Sequence, residues 1–160
     1  MPKLTMLVYG APGSGKTTFS GTFPKPIYLN IEAGVNALRG KDIDFIDITS
    51  WYEIQDTLKR LKAGQLDYES VIIDSVTELM KKRQDEVKGG KQRLSLQDWG
   101  VVISDMEQLL RSFRDLDAHV LFVMAEEEER DEERILVRPS LSGRTLPTQV
   151  AGYVDIVGYA

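Results

Sequence analysis

The residues GAPGSGKT at positions 10–17 constrain this chain more than any other stretch. They fit the spacing G-x-x-x-x-G-K-[ST] and follow the apolar run KLTMLVY (3–9) directly, so a strand leads into a glycine-rich turn. Gly10, Gly13 and Gly15 allow backbone N–H groups to turn inward around phosphate oxygens, where side chains would intrude. The helix expected from Gly15–Lys16 adds partial positive charge at its start. The pattern therefore predicts a phosphate cradle of Gly10, Ala11, Pro12, Gly13, Ser14, Gly15, Lys16, Thr17 and Thr18. Lys16 is expected to reach the β- and γ-phosphates of ATP, and the Thr17 hydroxyl to ligate Mg²⁺.

Such a loop requires an acid for the ion at the tip of a neighbouring strand. VIIDS (71–75) supplies one: three β-branched residues and then Asp74, followed by Ser75, which starts the next helix and is placed to touch the same shell. Thr17 and Asp74 are thus the expected metal-binding pair.

The rest of the chain reads as strands alternating with helices. PIYLNI (26–31), IDFIDI (43–48), Val71–Ile73, HVLFVMA (119–125) and YVDIVGYA (153–160) have strand patterns. Ser50 with Glu53, and Ser75 with Glu78, fit capping boxes at two helix starts. Ile54, Leu58 and Leu61 stripe the first of these helices. Val102, Met106, Leu109, Leu110 and Phe113 stripe a long one from about Gln97 to Leu116. Charges around ILV (135–137) predict an exposed hairpin or long loop, and the Pro, Ser and Gly content of 138–147 predicts an exposed stretch. Strands this apolar are buried on both faces, so the expected fold is a three-layer α/β domain with a mainly parallel sheet. At 160 residues it is read as one domain.

Charge is unevenly spread. Of 25 acids and 20 bases, seven acids and two bases fall in EEEERDEER (126–134), so the remainder balances at 18 and 18. KKRQDEVKGGKQR (81–93) holds six bases against two acids, and Lys81, Lys82, Arg83, Lys88, Lys91 and Arg93 could neutralise a nucleic-acid backbone. A solvated helix end explains the same charges. No aromatic side chain lies in either segment, so stacking on bases is not expected there. Trp51 and Trp99 lie near helix starts and read as core or interface anchors. His119 opens a buried strand without a second histidine to form a metal site. No apolar run is long enough for a membrane span. With no cysteine in the chain, a cytoplasmic setting is expected.

Beyond the phosphate loop and VIIDS, the order of segments resembles that of RecA-like ATPases, over roughly residues 3–159. IYLNIEAG (27–34) is similar to their segment carrying the catalytic glutamate, which implies that Glu32 polarises the attacking water. RPSLSGRTLP (138–147) followed by GYVDIVGY (152–159) resembles a narrower group, the phage-encoded RecA-like nucleotide-binding proteins linked to single-strand annealing and recombination. The resemblance implies a RecA-like core and ATP hydrolysis coupled to single-stranded DNA. It also implies a homo-oligomer with nucleotide at its subunit interfaces, and recombination or single-strand-binding proteins as further partners. The family's DNA loops correspond to 81–93 and to the acid block 126–134, the second of which should repel a nucleic acid. Relatives place a polar sensor, often glutamine, after the strand matching HVLFVMA. Here Ala125 and Glu126 stand there, with Glu126 in the catalytic set. Arg144, with Arg138 second, is expected to reach the adjoining subunit's nucleotide.

Two other readings stay open at the level of sequence. One is a P-loop kinase of a small metabolite, with RDEERILVR (130–138) as a loose match to an arginine-bearing lid. The other is a nucleotide-gated scaffold or DNA-binding protein with little turnover.

Overall fold

A computed structural model describes residues 2–31, 38 and 40–160. The described residues form twelve elements in chain order: β1 (Thr5–Gly10), α1 (Lys16–Ser20), β2 (Pro26–Asn30), β3 (Asp44–Asp47), α2 (Trp51–Lys62) and β4 (Ser70–Asp74). Then come α3 (Val76–Lys88), α4 (Leu96–Arg114), β5 (His119–Arg130), β6 (Ile135–Pro139), α5 (Leu146–Gly152) and β7 (Ile156–Tyr159). The sheet runs β3-β2-β4-β5-β1-β7, every neighbouring pair parallel, and β6 joins β5 antiparallel. An all-parallel order needs a crossover between strands, and the crossover helices cover both faces.

The two covered faces are unequal. The larger core packs α2, α3, α4 and α5 on one side, with Ile54, Leu79, Met106, Phe113 and Leu146 against Leu7, Ile73 and Phe122 of the strands. The smaller, on the α1 side, gathers Val8, Tyr28, Leu38, Ile72, Leu121 and Val123. All five residues of β4 are buried, which accounts for its unbroken apolar run. These layers form the α/β architecture of a P-loop NTPase core.

Local signals located the helix starts, with one exchange of partners. Ser50 Oγ accepts from Glu53 N (3.1 Å), but the Glu53 carboxylate returns to Thr49 N rather than to Ser50. Those bonds to Thr49 hold the Glu53 carboxyl below its usual range. Ser75 Oγ accepts from Glu78 N (3.2 Å), while Glu78 pairs with Lys81. The complete capping box is Ser95 with Asp98, in α4.

α3 continues to Lys88, because 81–88 contains no helix breaker before Gly89. The charged stretch after HVLFVMA takes the hairpin form of the two expected: β5 runs on to Arg130 and pairs with β6 from Glu126↔Pro139 to Arg130↔Ile135. Residues 138–152 are less exposed than their composition suggests, since Leu141, Leu146, Pro147 and Val150 are buried. They include the short helix α5, whose early Pro147 suits a first helical turn. The last strand is shorter than 153–160, because Tyr153 ends α5.

Candidate nucleotide-binding site

Parallel register brings the C-terminal tips of four strands to one edge of the sheet. Gly10 of β1 pairs with Ala125 of β5, Asp74 of β4 with Val123 of β5, and Asn30 of β2 with Asp74. Ligands of open parallel sheets bind outside this edge. A cleft of about 70 Å³ lies there, lined by Gly10, Pro12, Lys16, Asp74, Ser75, Met124 and Ala125.

The glycine-rich turn has the backbone that its spacing predicts. Gly13 and Gly15 adopt φ of 79° and 95°, and a Cβ built on either would stand in open space. That left-handed backbone is what an L side chain resists. Gly10 is needed for another reason: a Cβ there would collide with the Ala160 carbonyl oxygen. Lys16 Nζ donates to Gly10 O (2.9 Å), Ala11 O (2.6 Å) and Ser14 Oγ (3.3 Å), drawing the loop around its own ammonium. Ser20 Oγ, in turn, holds Thr17 O at 2.6 Å. Thr18 is exposed beside them.

Thr17 Oγ1 donates to Asp74 Oδ2 at 3.1 Å across 57 residues of chain. A hydroxyl that gives its proton to the carboxylate keeps its lone pairs for a cation. Tyr28, fully buried, donates its hydroxyl to the same Oδ2. Burial, then the Asp74 charge and that bond, push the Tyr28 phenol well above its ordinary pKa, so it remains a donor. Among the described residues, Asp74 Oδ1 accepts no hydrogen bond. The Asp74–Ser75 peptide is cis. Ile31 N donates to the main-chain carbonyl oxygen of Asp74 (2.8 Å). Glu32 itself lies outside the described residues.

A hydroxyl and one carboxylate are hard oxygen donors, and no group of three or more acidic, His or Cys side chains gathers among the described residues. That sparse set fits Mg²⁺, which keeps waters and phosphate oxygens as its main ligands, rather than an all-protein cage. The residues therefore fit a magnesium nucleotide, which Thr17 and Asp74 would hold.

The remaining predicted residues fall in three places. Glu126, next to the cleft residue Ala125, has Oε2 buried, without a hydrogen-bond partner among the described residues. Its carboxylate beside the Tyr159 hydroxyl raises that phenol's pKa. Arg138 is held by Glu127 (2.6 Å) and Glu129 (3.1 Å), whereas Arg144 is exposed, with no ion pair among the described residues. Of the basic set, Lys81 pairs with Glu78 (2.7 Å) and Lys91 with Asp98 (2.6 Å). Arg83 grips Asp105 through Nε (2.8 Å) and Nη2 (2.7 Å) and lies 5.1 Å over the Trp51 ring. Lys82, Lys88 and Arg93 make no ion pair among the described residues. His119 Nδ1 accepts from Leu4 N (3.2 Å), Trp51 is buried and Trp99 half-buried.

Two residues at this edge went unnoticed in the sequence, Tyr28 and Thr77. Thr77 Oγ1 accepts from Ala125 N (3.0 Å) and donates to Ser140 O (2.9 Å), tying α3 to the cleft strand and to the segment after β6. Neither carries a local signal, because both partners are distant in sequence.

Comparison with known proteins agrees with this geometry. The model of the AAA domain family matches residues 2–160, which is nearly the whole chain. The chain belongs to the AAA domain family. A SPbeta prophage-derived uncharacterized protein, YorG, of Bacillus subtilis (strain 168) is 35% identical over 79 residues. That match covers 46% of this chain and 24% of the relative, so less than half of this AAA domain aligns with about a quarter of that protein's length. No helix among the described residues of the AAA domain is long and apolar enough to cross a membrane.

Proposed function

We propose that this AAA domain binds ATP as its magnesium complex and hydrolyses it. The bond between Thr17 and Asp74 beside the glycine turn carries the reading. It couples the residue expected to ligate the ion to the carboxylate expected to hold the ion's water. When bound, magnesium would supply positive charge opposite the negative charge that develops on the phosphates, with Thr17 and Asp74 placed to hold it. Lys16 contributes a second positive charge there, exchanging its loop acceptors for phosphate oxygens. Backbone N–H groups of the 13–18 turn hold the phosphates in place. Glu32, the residue after the Ile31–Asp74 tie, takes the proton of the attacking water.

RecA-like coupling to single-stranded DNA and assembly into a homo-oligomer belong to the same proposal. The segment resemblance supports them, and the prophage origin of the relative supports a phage setting. The DNA surface narrows to Lys82, Lys88 and Arg93, the basic residues of 81–93 without an ion pair among the described residues.

Phosphate release measured with Mg²⁺, with and without single-stranded DNA, tests the whole reading. Hydrolysis that needs Mg²⁺ and is lost in D74N supports the site, and stimulation by DNA supports the coupling. In E32Q, ATP should still bind while hydrolysis falls about 10²-fold. Turnover by E32Q at the wild-type rate would remove Glu32 from the mechanism. ATP binding by K16A equal to wild type would overturn the nucleotide site.

A further inference from the structure

The smaller core contains one buried phenol whose hydroxyl reaches the site. Tyr28 is wholly buried among Val8, Leu38, Ile72, Leu121 and Val123, none of which offers a side-chain polar atom. Register explains how it meets Asp74. Tyr28 of β2 is opposite Ile72 of β4, and Asn30 is opposite Asp74. Side chains alternate along a strand, so Tyr28, Ile72 and Asp74 share one face. Two residues of rise, about 6.6 Å, separate the Tyr28 level from the Asp74 level, and a tyrosine side chain spans that distance. The result is two hydroxyl donors, Tyr28 and Thr17, on the same oxygen, Oδ2. Oδ1 is left without a protein donor among the described residues, and Asp74 lines the cleft.

We infer that Tyr28 is a positioning residue for the magnesium site: its hydroxyl anchors Asp74 Oδ2 and so presents Oδ1 to the ion's hydration shell. The inference rests on the reading of Asp74 as the metal-site carboxylate. A lone carboxylate bonded only to Thr17 can rotate about its Cβ–Cγ bond. A second donor, delivered from a neighbouring strand by a rigid ring, removes that freedom. Thr17 also changes its surroundings when it ligates a cation, whereas the Tyr28 bond lies in the core and stays. Outer partners of this kind are worth roughly 10- to 100-fold in metal affinity.

The test is Y28F, which deletes the hydroxyl and keeps the buried ring. Mn²⁺, as a probe for Mg²⁺, is titrated into the protein bound to a non-hydrolysable ATP analogue and followed by electron paramagnetic resonance. Y28F should weaken Mn²⁺ binding at least tenfold, and leave affinity for the metal-free analogue within twofold of wild type. A hydroxyl serving structure alone would instead lower the unfolding temperature and leave Mn²⁺ affinity unchanged, which overturns the inference. D74N separates the two levels of argument. If D74N loses Mn²⁺ affinity and Y28F does not, Tyr28 is not a positioning residue. If neither loses it, the magnesium-site reading itself fails. Should Y28F not fold, the Tyr28 hydroxyl proton is followed by NMR in wild-type protein bound to the analogue. A shift on adding Mg²⁺ supports the anchor, and an unmoved resonance overturns it.

Discussion

Lys16 presents three N–H donors, and all three are engaged, by Gly10 O, Ala11 O and Ser14 Oγ. Its removal therefore loosens the turn as well as deleting a charge opposite the phosphates. K16A should lower ATP affinity by more than tenfold and abolish phosphate release, as read by calorimetry and a phosphate assay. A second residue-level prediction concerns the α4 cap. Lys91, with the Ser95 backbone and hydroxyl, holds the Asp98 carboxyl down at about 2. An unfolded aspartate titrates near 3.9. Because the folded value is the lower one, the cap's contribution is complete above about pH 4 and disappears as pH falls from about 4 to about 2. The stability difference between wild type and D98N should be constant above pH 5 and shrink through that window. Loss of the Ser95 hydroxyl in S95A should cost about 1 kcal/mol at neutral pH, measured by urea unfolding.

At the scale of elements, the basic stretch divides into two kinds of residue. Arg83 projects from α3 to grip Asp105 of α4 with a two-pronged guanidinium while stacking on Trp51 of α2. With only about a fifth of its side chain exposed (21%), it acts as a clamp among three helices. R83A should destabilise the domain by about 1–2 kcal/mol, and R83K should not restore it, since an ammonium lacks the fork. Lys88 and Arg93 carry the opposite expectation. Removing both charges should leave the unfolding temperature unchanged and reduce the salt slope of single-stranded DNA binding by about 1.4. Fluorescence anisotropy across a salt series measures that slope. No measurable binding by wild type at low salt, with ATP present, would remove the DNA role from this surface.

For the whole molecule, the telling contrast is between Arg138 and Arg144. Arg138 is committed to Glu127 and Glu129 within its own hairpin, whereas Arg144 is exposed. A guanidinium without an ion pair among the described residues can serve a neighbouring copy's γ-phosphate. R144A should then bind ATP as the monomer does, yet lose turnover on assembly. Mixing it with E32Q should recover part of the activity, because each variant lacks a different half of a shared site. R144A as active as wild type at concentrations that saturate assembly would refute an arginine acting between subunits.

Features readable from the linear sequence share one property: their decisive bonds close within a few residues. The glycine turn with Lys16, the Ser50 and Ser75 caps, and the unbroken apolar run of β4 are of this kind. The place of Asp74 at the strand tip beside the phosphate loop was legible too, since a β-branched run ending in an acid is a local pattern. The helical run to Lys88, the helix α5 and the burial of Leu141 and Leu146 were not, because packing overrode composition there. The Tyr28 anchor spans 46 residues, and the Arg83–Asp105 grip spans 22. Those pairings depend on strand order, on register and on which helix crosses which face. Such choices come from burial summed over the whole sheet, and no short window of sequence contains that sum.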